Sequence, residues 1–245
     1  MASLTIIILT CNQTESTRRC LSSLTPYMLE HHDTNVLLID NGSEDNQAAS
    51  LVRRFSWPFD VIRLEKNIGV AAGRNIGLSK ARGEYIMFLD NDTVIDPEAI
   101  DGLKKYLQDN PMCGIAAPAL ISPEGDMQDS AKDFPGIGVK LRNIFGGKSK
   151  RSSMKHPCYV IGACQMFRRS LIEVIGKLDE KIFYGPEDAD FCIRAANAGF
   201  TIDYLTQFGI VHDWRRATSR HIFSPLARKH IFGLLYFYFK HRRFF

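Results

Sequence analysis

Tyr85-Ile86-Met87-Phe88-Leu89-Asp90-Asn91-Asp92-Thr93 decides how this chain is read. A short apolar run bounded by polar residues has the length of a buried strand. Two carboxylates, one residue apart, stand at its end. Open α/β sheets gather ligands outside the carboxyl ends of their strands, and Mg²⁺ or Mn²⁺ is held by one or two carboxylates with substrate phosphates completing the shell. Asp90 and Asp92 are therefore candidate metal ligands. The spacing alone carries little, because Asp188-Ala189-Asp190 repeats it and a polar turn after a strand is common. The weight comes from the apolar strand in front and from what precedes it.

Upstream, runs rich in β-branched residues alternate with helical patterns, which predicts βαβ units and a largely parallel sheet. The expected strands are Thr5 to Leu9, Val36 to Ile39, Val61 to Leu64 and Tyr85 to Leu89. Helices are expected from Thr14, around Ala48 to Phe55, and from Gly69 to Arg82, where Gly83 stops the last. Each strand ends in polar residues at the same edge: Thr10-Cys11-Asn12, Asp40-Asn41-Gly42-Ser43, Glu65-Lys66-Asn67 and Asp90-Asn91-Asp92. One polar strand end is turn chemistry; four in register form a shelf of nucleotide size. The dinucleotide fingerprint G-x-G-x-x-G is absent, and Gly69, Gly73 and Gly77, four residues apart, suit close helix packing instead. Gly147-Lys148-Ser149 resembles the end of a phosphate loop, but Arg142 stands where its leading glycine belongs.

Downstream, Pro97 opens a helix at its first turn, with Ile100, Leu103 and Leu107 on one face. Ser122 to Pro157 lack periodicity and read as a long loop. A strand is expected over Tyr159 to Phe167, helices from Ser170 and from Pro186 to Asn197, and two short strands at Phe200 to Leu205 and Phe208 to His212. The chain has 245 residues, 45% hydrophobic and 24% charged, enough for a full core and inconsistent with disorder or coiled coil. Six cysteines without metal-type spacing, mostly in apolar surroundings, read as reduced core thiols of a cytosolic protein. The N-terminal apolar run is too short for a signal peptide, and no stretch is long enough to span a bilayer.

Three blocks then follow one another: Leu38-Ile39-Asp40-Asn41-Gly42-Ser43, Asn67-Ile68-Gly69 through Ala72-Gly73-Arg74-Asn75, and Phe88-Leu89-Asp90-Asn91-Asp92. In this order they resemble the nucleotide-sugar half of the family 2 inverting glycosyltransferases of GT-A fold. Gly162-Ala163-Cys164-Gln165-Met166-Phe167-Arg168-Arg169, Leu178-Asp179-Glu180, Gly185-Pro186-Glu187-Asp188-Ala189-Asp190-Phe191-Cys192-Ile193-Arg194 and Val211-His212 resemble its acceptor half, in the rhamnosyltransferase-like branch. The resemblance covers about residues 3 to 220. It implies an α/β fold with a Rossmann-like, mostly parallel central sheet and flanking helices, in one GT-A domain over residues 1–220. Residues 1–110 would form the nucleotide-sugar half, 111–220 the acceptor half, and 221–245 a helical tail.

The activity implied is transfer of a hexosyl group, rhamnose among the options, from a nucleoside-diphosphate sugar to a glycan or lipid-linked acceptor, with inversion. The setting would be polysaccharide biosynthesis for a cell envelope. Asp40 would read the base, with Thr10 and Asn12 lining its pocket. Asn67 and Arg74 would lie near the nucleotide and diphosphate, and Asn91 would join the nucleotide-sugar set. Asp90 would serve ribose and metal, Asp92 the metal directly, and His212 would complete the metal shell. A bound Mg²⁺ or Mn²⁺ would stabilise the charge developing on the departing diphosphate. Inversion by direct displacement needs one base on the acceptor side; the family's Glu-Asp motif makes Asp188 that base and Glu187 its acceptor-orienting neighbour. Without the resemblance, both fit as charge complements of a helix N-terminus behind Pro186. The rival classes are a sugar nucleotidyltransferase, whose Gly-rich basic first loop is replaced by Thr10-Cys11-Asn12-Gln13-Thr14, and a non-catalytic glycan-binding module, which needs no second carboxylate pair. Nucleic acid is not expected as a partner.

The net charge of +4 hides an asymmetry. From Trp214 to Phe245 there are eight Arg and Lys and no Asp or Glu, leaving 23 basic against 27 acidic residues elsewhere. Within the tail, Ile231-Phe232-Gly233-Leu234-Leu235-Tyr236-Phe237-Tyr238-Phe239 lies between Arg228-Lys229-His230 and Lys240-His241-Arg242-Arg243. Aromatic residues flanked by cations suit peripheral contact with an anionic membrane. Packing on the domain or across a homodimer is the alternative.

Overall fold

The computed structural model describes residues 3–44, 47–134, 156–213 and 225–242. Its first half runs β1 (Leu4–Thr10), α1 (Thr14–Glu30), β2 (Thr34–Asp40), α2 (Gln47–Leu51) with a 3₁₀ turn (Val52–Arg54), β3 (Asp60–Arg63), α3 (Val70–Lys80) and β4 (Tyr85–Asp90). β2 and β3 pair outward from β1; α3 then returns the chain to lay β4 along the other side of β1, all in parallel. That reversal opens a crevice at the carboxyl ends of β1 and β4, where Thr10 and Asp90 terminate the two strands.

Both faces of this sheet are covered, as parallel strands require. Along β1, Ile6 and Ile8 join a layer with Cys20, Leu21, Leu24, Ile100 and Leu103. Ile7 joins the opposite layer with Ala71, Leu78, Phe88 and Phe167. α3 lies close on that second face because Gly73 and Gly77 have no side chain there: a Cβ would sit 2.6 Å from Leu9 Cδ1 and 2.5 Å from Ile7 Cγ2, respectively.

The second half runs β5 (Thr93–Val94), α4 (Pro97–Asp109), β6 (Cys113–Ile121), β7 (Ala131–Lys132), β8 (Tyr159–Val160), β9 (Cys164–Arg168), α5 (Arg169–Ile175), α6 (Glu187–Asn197), β10 (Thr201–His212) and α7 (Pro225–His241). The eight-stranded sheet has the order β3-β2-β1-β4-β9-β6-β10-β5. Only β9 and β5 run against the rest, so it is a mostly parallel sheet.

The structure departs from the sequence-based expectations in four places. β6 was not anticipated, because Cys113-Gly114-Ile115-Ala116-Ala117-Pro118-Ala119-Leu120-Ile121 is rich in poor strand formers and contains a proline. The sheet accommodates Pro118 by pairing it with Leu205, the residue after which the β10 register slips to Gly209. That slip also joins the two short strands expected at 200–212 into one irregular β10. The strand expected over Tyr159 to Phe167 is broken into β8 and β9 around Gly162. Finally, the first part of the expected loop is ordered: Ile121 bridges to Met127 and β7 pairs with β8. Residues 135–155, with Arg142 and Gly147-Lys148-Ser149, lie outside the described residues.

One buried amide ties the halves together. Asn75 on α3 donates from Nδ2 to Leu178 O and Glu180 Oε1, both at 2.9 Å, and its Oδ1 accepts from Leu178 N at 3.0 Å. Truncating it would leave a buried peptide without partners, at a cost of about 1–3 kcal/mol. Asn75→Ala is therefore expected to lower the unfolding free energy by about that amount, seen as a lower denaturant midpoint at unchanged slope. A midpoint within error of the parent would show that the amide does not join the halves energetically.

Candidate active site

The shelf at the ends of β1 to β4 is built largely by side chains that bond to backbone. Asp40 closes β2 fully buried; its Oδ1 accepts from Ser43 N at 2.9 Å, and its Oδ2 has no hydrogen-bond partner among the described residues. A carboxyl oxygen hidden from water and left without a donor suits a ligand N–H. Gly42 makes the turn here at φ 77°, and a Cβ would meet Lys66 C at 2.3 Å, so no side chain fits between the β2 and β3 ends. Asn12 reaches φ 55°, which asparagine tolerates; its N donates to Ser43 Oγ and its Oδ1 accepts from Glu44 N. Asn67 is exposed on the rim, its Oδ1 accepting from Gly69 N and from Asn41 Nδ2.

Asn41 and Thr17 are organisers that motif reading did not single out. Asn41 also donates to Gly69 O and accepts from Ile68 N, holding the β3–α3 loop. Thr17 on α1 shares hydrogen bonds with Thr10 and with Asn91 Nδ2, which also donates to Thr10 Oγ1. The Asn91 amide thus points into the protein and fixes the turn between Asp90 and Asp92. Both partners lie far away in sequence, so only the fold reveals them.

At that turn, Asp90, Asp92 and His212 each offer a ligand atom, all within 4.8 Å of one another. β5 pairs antiparallel with the end of β10, placing Thr93 opposite His212. His212 Nδ1 lies 2.8 Å from Gln128 Oε1, and Gln128 Nε2 donates to His212 O at 2.8 Å. Nδ1–H must therefore donate, which leaves Nε2 facing Asp92 Oδ1 at 3.5 Å, able to bind a cation when neutral or to carry a proton toward the carboxylate. A ring fixed through its other nitrogen is the usual arrangement of a metal-binding histidine. Apart from this longer contact with His212, Asp92 Oδ1 is buried without a hydrogen-bond partner among the described residues. Burial lowers the His212 pKa, but Asp92 and Asp90 outweigh it and the net shift is upward. Burial, opposed by Arg74 and reinforced by Asp92, likewise raises Asp90. The two carboxylates and one imidazole, one oxygen unsatisfied, fit a divalent cation.

Arg74 joins this corner to the acceptor side. Its side chain is buried; Nη2 donates to Asp90 Oδ1 at 2.6 Å and to Gly162 O at 2.7 Å, and the guanidinium lies 4.9 Å from the Phe88 ring centre. Gly162, in the break between β8 and β9, donates its own N–H to Asp188 Oδ2 at 3.1 Å. A Cβ there would lie 2.7 Å from Arg74 Nη1. Asp90 and Asp188 are thus three hydrogen bonds apart, through Arg74 and Gly162. Asp188 stays half-buried, its Oδ1 accepting from Ala189 N. Glu187 is buried with Oε2 unpartnered; burial and then Asp188 push its pKa up to about 7, against the pull of Arg74.

Thr10, Asp40, Asn67, Asp90 and Asp92 therefore stand at the carboxyl ends of β1 to β4, with Asn12 beside them. His212 adjoins the Asp90 end, as do Asp188 and its neighbour Glu187 through Arg74 and Gly162, whereas Asn91 turns its amide inward, away from this edge. The family model for glycosyl transferase family 2 matches residues 5–176. The N-acetylglucosaminyl-diphospho-decaprenol L-rhamnosyltransferase of Mycobacterium tuberculosis is 25% identical over 93% of this chain and 81% of its own length. The poly-beta-1,6-N-acetyl-D-glucosamine synthase of Staphylococcus epidermidis is 36% identical over 70% of this chain, which spans only 41% of that protein. A solved structure of GalNAc-T7 with UDP, GalNAc and Mn²⁺ superposes at a TM-score of 0.67 and 16% identity, over 89% of this chain and 44% of that one. The mannosyltransferase PcManGT from Pyrobaculum calidifontis, with GDP-Man and Mn²⁺, does so at 0.66 and 18%, over 88% and 58%. The chain belongs to glycosyl transferase family 2, is a glycosyltransferase of GT-A fold, and counts rhamnosyltransferases among its relatives.

Proposed function

We propose that this protein transfers a hexosyl group, rhamnose being the first donor to try, from a nucleoside-diphosphate sugar to a hydroxyl of a glycan or lipid-linked acceptor, with inversion. The observation that carries the reading is the chain Asp90–Arg74–Gly162–Asp188, which faces a cation corner toward a carboxylate across one cleft. Residues 1–110 serve the donor and 111–220 the acceptor. Asp40 offers its unpartnered oxygen to the base, and Thr10, Asn12 and Asn67 shape the pocket. Asp90, Asp92 and His212 would hold Mg²⁺ or Mn²⁺, which when bound supplies Lewis-acid stabilisation of the leaving diphosphate. Arg74 orients Asp90 and opposes the upward push of burial on its carboxyl.

The adjacent carboxylates divide the work by environment. Glu187, buried and raised to about 7, holds a proton through much of the neutral range and can donate to an acceptor oxygen. Asp188 is half-buried with two hydrogen bonds from backbone N–H groups, and its remaining lone pairs can take the acceptor proton. A nucleotidyltransferase or a lectin would leave this second pair without a task.

The tail adds a peripheral contact. One side of α7 packs on the domain, while Ile231, Phe232, Leu235 and Phe239 are 47%, 70%, 60% and 76% exposed in a single stripe. Exposed Arg228 and Arg242 stand at its two ends. No helix among the described residues is long and apolar enough to cross a membrane. The stripe is instead suited to the interface of an anionic bilayer, where lipid-linked acceptors reside. A homodimer through the same stripe is the second reading.

Three outcomes test this. Asp92→Asn is expected to abolish transfer and remove the metal-dependent part of donor binding, with the unfolding curve preserved; full activity in excess chelator would sink the cation corner. Asp188→Asn is expected to lower kcat by roughly 10²-fold or more with donor affinity little changed, whereas Glu187→Gln should act through the acceptor. Because the folded-state pKa of Glu187 is raised, its contribution to stability is complete below about pH 4.5 and is lost as pH rises through about 7. The metal-free protein should therefore melt lower as pH climbs across that window, and Glu187→Gln should flatten the trend; an identical slope in that variant removes Glu187 as the titrating group.

For the tail, co-sedimentation with phosphatidylglycerol vesicles is expected to fall with salt and to be lost in a Phe232→Ser, Phe239→Ser double variant. If that variant instead turns a dimer into a monomer and wild type ignores vesicles, the stripe is a subunit interface.

A further inference from the structure

The inner face of α7 touches the segment that carries the carboxylate pair, and it does so at both ends of that segment. Before the pair, His230 Nδ1 lies 3.1 Å from Tyr184 O and 3.1 Å from Gly185 O. Both are acceptors, so Nδ1–H donates to the two carbonyls that lead into Pro186 and Glu187. Gly233 lets the helix approach this closely, since a Cβ there would stand 3.1 Å from Gly185 O. Lys229 Nζ lies 3.5 Å from the centre of the Phe183 ring. After the pair, Asp190 on α6 is fully buried, and its Oδ1 takes Lys240 Nζ at 2.7 Å and His241 Nε2 at 2.9 Å, while Oδ2 takes Arg194 at 2.8 Å. Lys240 also pairs with Asp179 at 2.7 Å, which Tyr236 OH meets at 2.9 Å. Between these polar ends, Phe237 and Tyr238 pack on Ala189 and Ile193.

The opposite side of the same segment is held by the donor half. Phe183 O accepts from Val70 N at 2.7 Å at the start of α3, the helix that carries Arg74. The segment from Phe183 to Asp190 is therefore clasped between α3 and α7. Asp188 and Asp190 are about 200° apart around α6, so the carboxylate gripped by the tail lies behind the helix while the base faces the cleft.

We propose that α7 is a brace for the base, with His230 and Lys240 as positioning residues that set where Asp188 stands relative to the acceptor. Neither residue touches the reacting atoms. The proposal rests on Asp188 being the base, and it assigns the tail a task in turnover that is separate from any contact of its exposed stripe. A general base must reach its proton within hydrogen-bond distance, and small displacements of a reacting group lower rates steeply. Loss of the brace should then appear in kcat and leave donor binding alone, because the donor shelf belongs to β1 to β4 and takes nothing from α7.

The test uses the full chain with His230→Ala, Lys240→Ala and the conservative changes His230→Asn and Lys240→Arg, each confirmed folded by near-UV circular dichroism. Two readouts are taken: amide hydrogen exchange across residues 183–195, and kcat with donor KM measured separately. Both alanine variants are expected to exchange faster in that segment and to lose roughly tenfold or more in kcat at unchanged donor KM. His230→Asn and Lys240→Arg, which keep a donor or a charge, should recover part of the rate. Unchanged exchange would overturn the brace, and so would faster exchange with unchanged kcat, or a loss confined to donor KM. Were wild type inactive with every nucleotide sugar tried, the proposed reaction would fail, while the exchange data would still decide whether α7 clasps the segment.

Discussion

A buried guanidinium cannot be left unpaired, since an isolated charge in the interior costs far more than folding can supply. Arg74 meets this constraint with partners from both halves of the protein: Asp90 from the end of β4 and Gly162 O from the break between β8 and β9. The pairing forces the second half to close over the first at one distance. It explains why the strand expected over Tyr159 to Phe167 is interrupted, because a continuous strand would commit the Gly162 carbonyl and N–H to a ladder. Where the strand is interrupted, Gly162 turns its carbonyl to Arg74 and its N–H to Asp188. The absence of a side chain at Gly162 is then a requirement of contact with Arg74.

How electrostatics distributes tasks follows from that closure. Of the two carboxylates at the end of β4, Asp90 is already partnered by Arg74, whereas Asp92 keeps a buried oxygen without a hydrogen bond among the described residues. Of the two on α6, Glu187 is hidden and drawn toward its neutral form, while Asp188 is stabilised by two backbone donors. Each pair thus holds one member whose place is fixed and one whose valence is open. Side chains of identical chemistry differ here only through burial and partners, which is the condition for acid and base roles to separate.

Much of this was legible in the sequence because strand ends in a parallel sheet are local events. The apolar runs, the polar residues that follow them and their order along the chain sufficed to place Thr10, Asp40, Asn67 and Asp90 on one edge. What escaped was long-range. β6 looks like no strand, since its alanines and Pro118 are tolerated only because β10 slips register beside them. Asn41 and Asn75 stood inside motif blocks with no role of their own, and Thr17 stood in none, yet their side chains join segments tens of residues apart. Gln128, which orients His212, lay in a stretch expected to be a structureless loop.

The composition of the tail left two readings open, contact with an anionic surface and packing on the domain or across a dimer, and the fold divides the cations between its two sides. In the structure Lys240 is committed to Asp179 and Asp190, and Lys229 to the Phe183 ring, which takes them out of the count available to lipid. Burial raises the Asp190 pKa, but the hydrogen bonds from His241 and Lys240, with the charge of Arg194, win and bring it down to about 2. That carboxylate is therefore ionised around neutral pH, as the cations gathered on it require. Arg228 and Arg242, on the exposed side of the same helix, stay free of this duty. A helix with aromatic residues on both faces would be a poor soluble element by itself; here one face is sealed against Ala189 and Ile193, and only the remaining stripe needs a partner.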